Sequence, residues 1–523
     1  MRNMKALRNV VLIFALTALI PLQIFAQKQE KISCYDENCV NEVLKNLNSD
    51  DEMKVAEAEQ TLAAMAQEVC YTRDSNMVNA LKMSIILYVF DNKNQSKNEF
   101  LISLLPKFCW AEDCRDIMKL TENELITHDV LMAVGDINGS GRYIENYIMQ
   151  NHDNLKFKSA LAYGVGKQHI SGMEDELISW LKDADEPTKI EIYKALMVIR
   201  SNDKTTSIIK KGAKKLLKSK FSPSRVAALE IIAGLDGEKA MSTLYKALKD
   251  KSSDVRVTAL NLMKPYANQE VVKKVMKKCK KGDALVDAIN WLGDIKDDSQ
   301  MQIVLKQLSS EDPKLVEASI RAIFKIDNPE GINAVKPMFG GDYQEVIKES
   351  AIAYEGDYLN LMDAMLQNGN DQQKLGALQI VESRAIPGLN VRVRDLTGYS
   401  NQEVKDEAFK VLKLVVTPAN ADYLKTLLEY CDDQYVEDVQ LAIKCAMAKA
   451  TENMKNDFAS TLKHVKADKI GRYYKVFAYF GTELCVDKLI DAYQNGPNRA
   501  EARNALLLVE NEAFTQRINE VLK

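Results

Sequence analysis

Histidine and tryptophan are scarce in this chain, with 4 and 3 among 523 residues. His128, His152, His169 and His464 stand at no spacing that makes a metal or nucleophile motif with nearby cysteines or carboxylates, so no catalytic or metal residue is assigned from the sequence. Convergence of His128, His152 and His169 through folding stays open. No glycine-rich phosphate loop is present, and "FGGD" at 339–342 interrupts a helical pattern. Alternating strand patterns are sparse. Beyond the first 26 residues no segment approaches about 20 apolar residues, which excludes a membrane-spanning helix there. No small-residue triplet precedes Cys34, so no lipid anchor is indicated. No cofactor is expected.

What is present begins at the N-terminus. Arg2, Lys5 and Arg8 precede the apolar run "VVLIFALTALI", and Ala26 offers a small residue before Gln27. This pattern predicts a cleavable secretory signal over 1–26, and hence an exported protein, periplasmic or secreted, that is not an integral membrane protein after cleavage. Formal charge is -4 and becomes -7 without the three signal cations. Residues 204–281 hold 20 Lys plus Arg against 6 Asp plus Glu, so a strongly basic region sits in an acidic chain.

Self-similarity at a period near 30 residues organises the rest. The segments "SRVAALEIIAGL", "DVRVTALNLMKP", "ALVDAINWLGDI", "KLVEASIRAIFKI", "QKLGALQIVESR" and "EVKDEAFKVLKL" share a small residue at Ala228, Ala259, Ala288, Ala318, Ala377 and Ala408. Ser350 fills the gap in "EVIKESAIAYEG", and successive separations are 31, 29, 30, 32, 27 and 31. Fainter copies stand at Ala133, Ala160, Ala195 and Ala505. Helix axes approach closest where a side chain is small, with Leu or Ile three or four residues away filling the grooves. Each unit is then a helical pair that buries its apolar face only by stacking.

The stretch "LKDKSSDVRVTAL" resembles the HEAT repeat, whose second helix opens with a Val-Arg pair after a turn containing Asp. Asp250 and Arg256 stand six apart, with Val255 and Ala259 beside them. The resemblance implies that both link neighbouring turns, and that the family's exported bacterial members are the nearest kind. The expected fold is all-α, a right-handed alpha-alpha superhelix of HEAT/ARM-like solenoid type with roughly 12 helical pairs. The expected organisation is a signal peptide over 1–26, a cysteine-containing helical capping region over 27–124 and a HEAT-like array over 125–523.

The heptad "GDINGSG", Gly135–Gly141, has the look of a calcium loop. Its twelfth position from Asp136 is Tyr147 rather than an acid, and "GDI" recurs at Gly293–Ile295, so it is assigned to a turn between helices. The pairs "CYDENC" (Cys34, Cys39) and "CWAEDC" (Cys109, Cys114) are candidate local disulfides of an exported protein, with Cys70 as an alternative partner. A thiol redox or four-cysteine metal site is the competing reading, although neither pair has two-residue spacing.

Binding candidates fall on two faces. Lys210, Lys211, Lys214, Lys273, Lys274 and Lys277 lie opposite apolar residues at helical spacing, forming either a solvated face or a surface for an anionic partner. By the HEAT resemblance these are first helices, which line the outer surface. Asn261, Asn290, Trp291 and Arg321 are second-helix candidates for the inner one, and Trp291 is either a partner anchor or buried between repeats. "GRYYKVFAYFG" (471–481) is either terminal packing or an aromatic binding surface. The function expected is a non-enzymatic scaffold of the cell envelope that binds a protein or an anionic envelope polymer, nucleic acid being excluded by export. The alternative is an accessory or catalytic module of an envelope carbohydrate-processing or lyase-type HEAT enzyme, a class that the resemblance includes.

Overall fold

Short polar side chains set where the helices begin. Asp51, Asp74, Asn202, Asn268, Asp312 and Asn401 each accept a backbone N–H from the first turn of the helix they precede, satisfying a donor that the helix itself cannot. Asn370 and Gln373 do so reciprocally, as a capping box. The computed structural model describes residues 37–460, 465–466 and 468–523. The segment 1–26, Cys34 and His464 lie outside the described residues. Among the described residues all regular structure is α-helix or short 3-10 helix, and no helix is long and apolar enough to cross a membrane.

The chain divides into two compact units, Met1–Thr243 and Leu244–Lys523. Within each, helices come in pairs, and the second helices of consecutive pairs pack on one another. In the first unit that row is Glu52–Thr72, Gln95–Phe108, Thr127–Asp136, Lys158–Lys167, Glu186–Ile199 and Ser222–Asp236. In the second it runs through Ser253–Met263, Gly282–Asp294, Pro313–Ile326, Gln344–Ile352, Asp371–Ser383, Gln402–Val415, Val436–Met447, Tyr474–Phe480 and Arg499–Leu506. Each unit is therefore an all-α solenoid of helical pairs, in which each pair buries its face against the next. The described residues hold fifteen pairs. Pairing of this kind is already present from Glu37 onward.

The recurring small residues sit where helices meet. Ala133, Ala160, Ala195 and Ala228 in the first unit are buried, as are Ala259, Ala288, Ala318, Ala377, Ala408 and Ala505 in the second. Ser350 holds the same register but is half-buried, and Ala351 beside it is fully buried. Close approaches occur at Gly166, where an added Cβ would lie 2.8 Å from the Cα of Ala195 on the next second helix, and at Gly293, where it would lie 2.9 Å from the Cα of Ala322. Leu260, Ile289, Ile320, Leu378 and Leu412 fill the grooves around these contacts, each burial contributing about 1.5–3 kcal/mol.

Candidate binding surfaces

Arg256 is nearly fully buried and ties the turn before its helix to the second helix of the next pair. Its Nε donates to Asp287 Oδ2 at 2.7 Å on the following second helix, and its Nη1 donates to the backbone oxygen of Asp250 at 2.9 Å. Ser253 Oγ donates to the other Asp287 oxygen at 2.9 Å, while the Asp250 carboxylate accepts the Ser252 N–H at 2.9 Å. Asp287 is the partner that sequence reasoning missed. Buried cations reach turn carbonyls elsewhere too: Arg225 bonds those of Ser219 and Lys220, and Lys374 those of Gln367 and Gly369. Arg225, Arg256 and Lys374 all stand three residues before an anchor alanine, a signal legible in the sequence once the register is known.

The heptad forms the turn expected. Asp136 ends the helix Thr127–Asp136, Gly139 takes φ +79°, and buried Ser140 donates to the Val134 carbonyl. The Asp136 carboxylate accepts the Tyr163 hydroxyl at 2.5 Å and lies 3.4 Å from Lys167. Of the histidines, His128 lies beside Asp129 and His152 faces Glu176, whereas His169 lines a separate hollow with Tyr163 and Glu191. Folding does not bring the three together into a ligand set, and among the described residues no group of three or more His, Cys, Asp or Glu is arranged to hold a metal ion.

The Cys109–Cys114 disulfide expectation is corrected: both are buried free thiols. Cys109 caps the helix Gln95–Phe108 in extended conformation, a 3-10 turn over Ala111–Asp113 follows, and Cys114 Sγ points to the Trp110 carbonyl at 3.6 Å. Burial, aided by the Asp113 carboxylate, pushes the Cys114 thiol up to about 12 and Cys109 higher still. The thiolate needed for oxidation is thereby disfavoured. Asp113 in turn holds buried Lys82 at 2.8 Å, with Asp116 at 3.2 Å. Of the other candidate pair, Cys34 lies outside the described residues.

The lysines occupy first helices. In the first unit, Asp203–Leu216 buries Ile209 and Leu216 and exposes Lys211 and Lys214, while Lys210 pairs with Asp236 at 2.6 Å. In the second, Gln269–Lys278 buries Val271, Val272, Val275 and Met276 and exposes Lys273 and Lys277. Lys274 pairs with Glu270 at 2.6 Å and stands over the Tyr245 ring. Among the described residues no carboxylate lies within ion-pair reach of Lys211, Lys214, Lys273 or Lys277.

The second-helix candidates separate. Asn261 is exposed and Asn290 half-buried, but Trp291 is only 2% exposed and its Nε1 has no hydrogen-bond partner, so it is a packing residue rather than a partner anchor. The aromatic run is also core: Tyr473, Tyr474, Phe477 and Phe480 are buried, and the Tyr473 hydroxyl donates to the Lys425 carbonyl at 2.7 Å. Arg321 stands apart. It pairs with Glu317 at 3.2 Å and lies 4.0 Å from Glu349, in the wall of a cleft of about 790 Å³ in the second unit. The cleft is formed where the helices Gly282–Asp294, Pro313–Ile326 and Gln344–Ile352 end. Asp294 there bridges Lys264 at 2.9 Å and Lys325 at 2.6 Å, one residue on each neighbouring second-helix layer.

No family model and no curated protein matches the chain. Among solved structures it is similar to yeast importin-beta (Kap95p), at TM-score 0.40 and 10% identity over 93% of this chain and 79% of that one. It is also similar to UNC-45 from Drosophila melanogaster, at TM-score 0.30 and 12% identity over 92% and 83%, and to Kap121p, at TM-score 0.27 and 11% identity over 93% and 58%.

Proposed function

We propose that this chain is an exported, non-enzymatic scaffold of HEAT-like pairs that holds an anionic partner, an acidic protein or an envelope polymer, on the lysine faces of its first helices. The observation that carries this reading is the exposure of Lys211 and Lys214 in one unit, and of Lys273 and Lys277 in the other, without a carboxylate at hand. A solvated helix in an acidic chain has many acids with which to neutralise its lysines, and these four stay open. Export is supported by the signal-like pattern of 1–26, and the stacked pairs supply surface rather than an enclosed pocket. Binding of this kind weakens with salt, since exposed charges are screened beyond about 10 Å at 0.1 M.

The test is capture from native envelope extract by the parent chain and by a variant with Lys210, Lys214, Lys273 and Lys277 replaced by Glu. The variant should lose partners whose capture is salt-sensitive while keeping its helical circular dichroism. Retention of every partner by the reversed protein would defeat the reading.

A further inference from the structure

In the first unit, the end of the helix Asp203–Leu216 and the turn after it carry cations and an exposed ring on one short stretch. Lys211, Lys214, Lys215, Lys218 and Lys220 are all exposed, and so is Phe221, at 48%. No Asp or Glu occurs in the sequence from 204 to 229. Folding brings Glu186 to the turn, where it accepts the hydroxyls of Ser219 at 2.6 Å and Ser224 at 2.7 Å, while Asp236 is taken up by Lys210 and Asp203 stands at the far end of the helix. Among the described residues no carboxylate lies within ion-pair reach of the five exposed lysines, so with Glu186 counted the stretch stays strongly positive. We propose that it seats the protein on an anionic phospholipid surface, with the lysines against the headgroups and Phe221 inserted among them.

A fixed backbone presents the ring. The N–H groups of Lys218 and Ser219 donate to the carbonyls of Lys215 and Leu216 at 3.0 Å each, and that of Phe221 donates to Ser219 Oγ at 3.0 Å. Buried Arg225 grips the same turn, donating to the carbonyls of Ser219 at 3.0 Å and Lys220 at 3.2 Å. A turn held at so many points has little freedom left to lose on binding, so ordering offsets little of the contact. Phe90, the other phenylalanine with comparable exposure, is followed by Asp91 instead of being flanked by lysines.

Two features favour a lipid layer over an acidic chain. Arg225 is the one arginine of 204–229 and is buried, so every exposed cation of the stretch is a lysine. An ammonium is a hydrated point charge without the planar fork that reads individual carboxylates, and it responds to charge density. A headgroup layer supplies that density without fixed geometry, and lysine stems can lie in the interface with their ammonium groups among the headgroups. Phe221 in turn needs an apolar phase, which lies beneath lipid headgroups and which a linear polyanion lacks. The site shares Lys211 and Lys214 with the anionic-partner reading above and rests on it for charge, while the exposed ring is an observation of its own.

The test uses the chain from Gln27, which keeps every described residue and omits the apolar run of 1–26, in co-sedimentation with vesicles of phosphatidylcholine alone or mixed equally with phosphatidylglycerol. The parent should bind the mixed vesicles and not the neutral ones, and less tightly as salt rises. Lys214→Glu combined with Lys218→Glu and Lys220→Glu should abolish binding, and Phe221→Ser should weaken it about tenfold, both with unchanged circular dichroism. In Phe221→Trp the mixed vesicles should shift indole emission to the blue beyond any shift in the parent. Absence of binding to mixed vesicles, equal binding to neutral ones, an unaffected Phe221→Ser or an unshifted Phe221→Trp overturns the proposal. So does poly-L-glutamate binding as tightly as the vesicles, and equally to the parent and Phe221→Ser, which would make this a polyanion site. Capture of an acidic partner from extract does not need Phe221, so failure with vesicles would leave that reading standing.

Discussion

Arg256 and Asp287, 31 residues apart in sequence, meet at 2.7 Å with side chains only 6% and 10% exposed. One guanidinium thus ties a second helix both to the turn before it and to the second helix of the next pair. Removing one member of a buried ion pair leaves the other charge uncompensated, and Arg256→Ala should cost about 3 kcal/mol in urea unfolding with little change in helix content. Adding Asp287→Asn should recover part of that loss, because the orphaned carboxylate disappears. An unchanged urea midpoint for Arg256→Ala would show the tie to be dispensable.

Gly293→Ala sets two effects against each other. Alanine favours a helix by up to about 1 kcal/mol over glycine, but its Cβ would stand 2.9 Å from a backbone atom of Ala322, and overpacking costs about 1–3 kcal/mol. A backbone atom cannot swing aside as a side chain can, so the net change should be destabilising. A thermal midpoint equal to or above the parent's would contradict the close approach.

Cys109 and Cys114 should be unreactive to iodoacetamide in the folded chain at pH 8 and react only once it is unfolded. The thiol of Cys114 is raised from its ordinary 9.0 to about 12 by burial and by Asp113. The unfolded chain therefore releases this proton at lower pH than the folded one. The associated stability is complete below pH 9 and is lost as pH rises towards about 12. Replacing Cys114 by Ser should flatten that alkaline decline. Peptide mapping without reductant that recovers a Cys109–Cys114 bridge would overturn this account.

Asp294 provides the acid-side counterpart. Burial raises its carboxyl, but hydrogen bonds from Lys325 and Lys264 outweigh this and hold it below the ordinary 3.8. Its contribution is present above that value and disappears as pH falls through the folded-state pKa. Because the group is a third exposed, the effect should be modest, about 0.5–1 kcal/mol. Urea midpoints of the parent and Asp294→Asn should therefore differ at pH 6 and converge as pH falls well below the ordinary 3.8.

The helical-pair architecture was legible in the sequence because burial repeats with the helix period, and Ala259, Ala288, Ala318, Ala377 and Ala408 mark the contact line of each second helix. The turn at Gly135–Gly141 was legible for a related reason: the missing acid at Tyr147 and the second "GDI" are both local facts. Charge and burial of individual side chains were less so. Helical spacing placed Trp291 among polar neighbours, yet the rotation of its helix buries it, and proximity of Cys109 and Cys114 in sequence did not make them a bridge. Stacking alone selects Asp287 as the partner of Arg256, and stacking alone gathers Lys296, Arg321, Asp327, Glu349 and Glu355 around one cleft. A local pattern specifies which face of a helix is buried. Which residues of different pairs then stand within a few ångströms depends on the angle and offset at which the helices pack, and that is decided by the summed fit of side chains from several pairs at once.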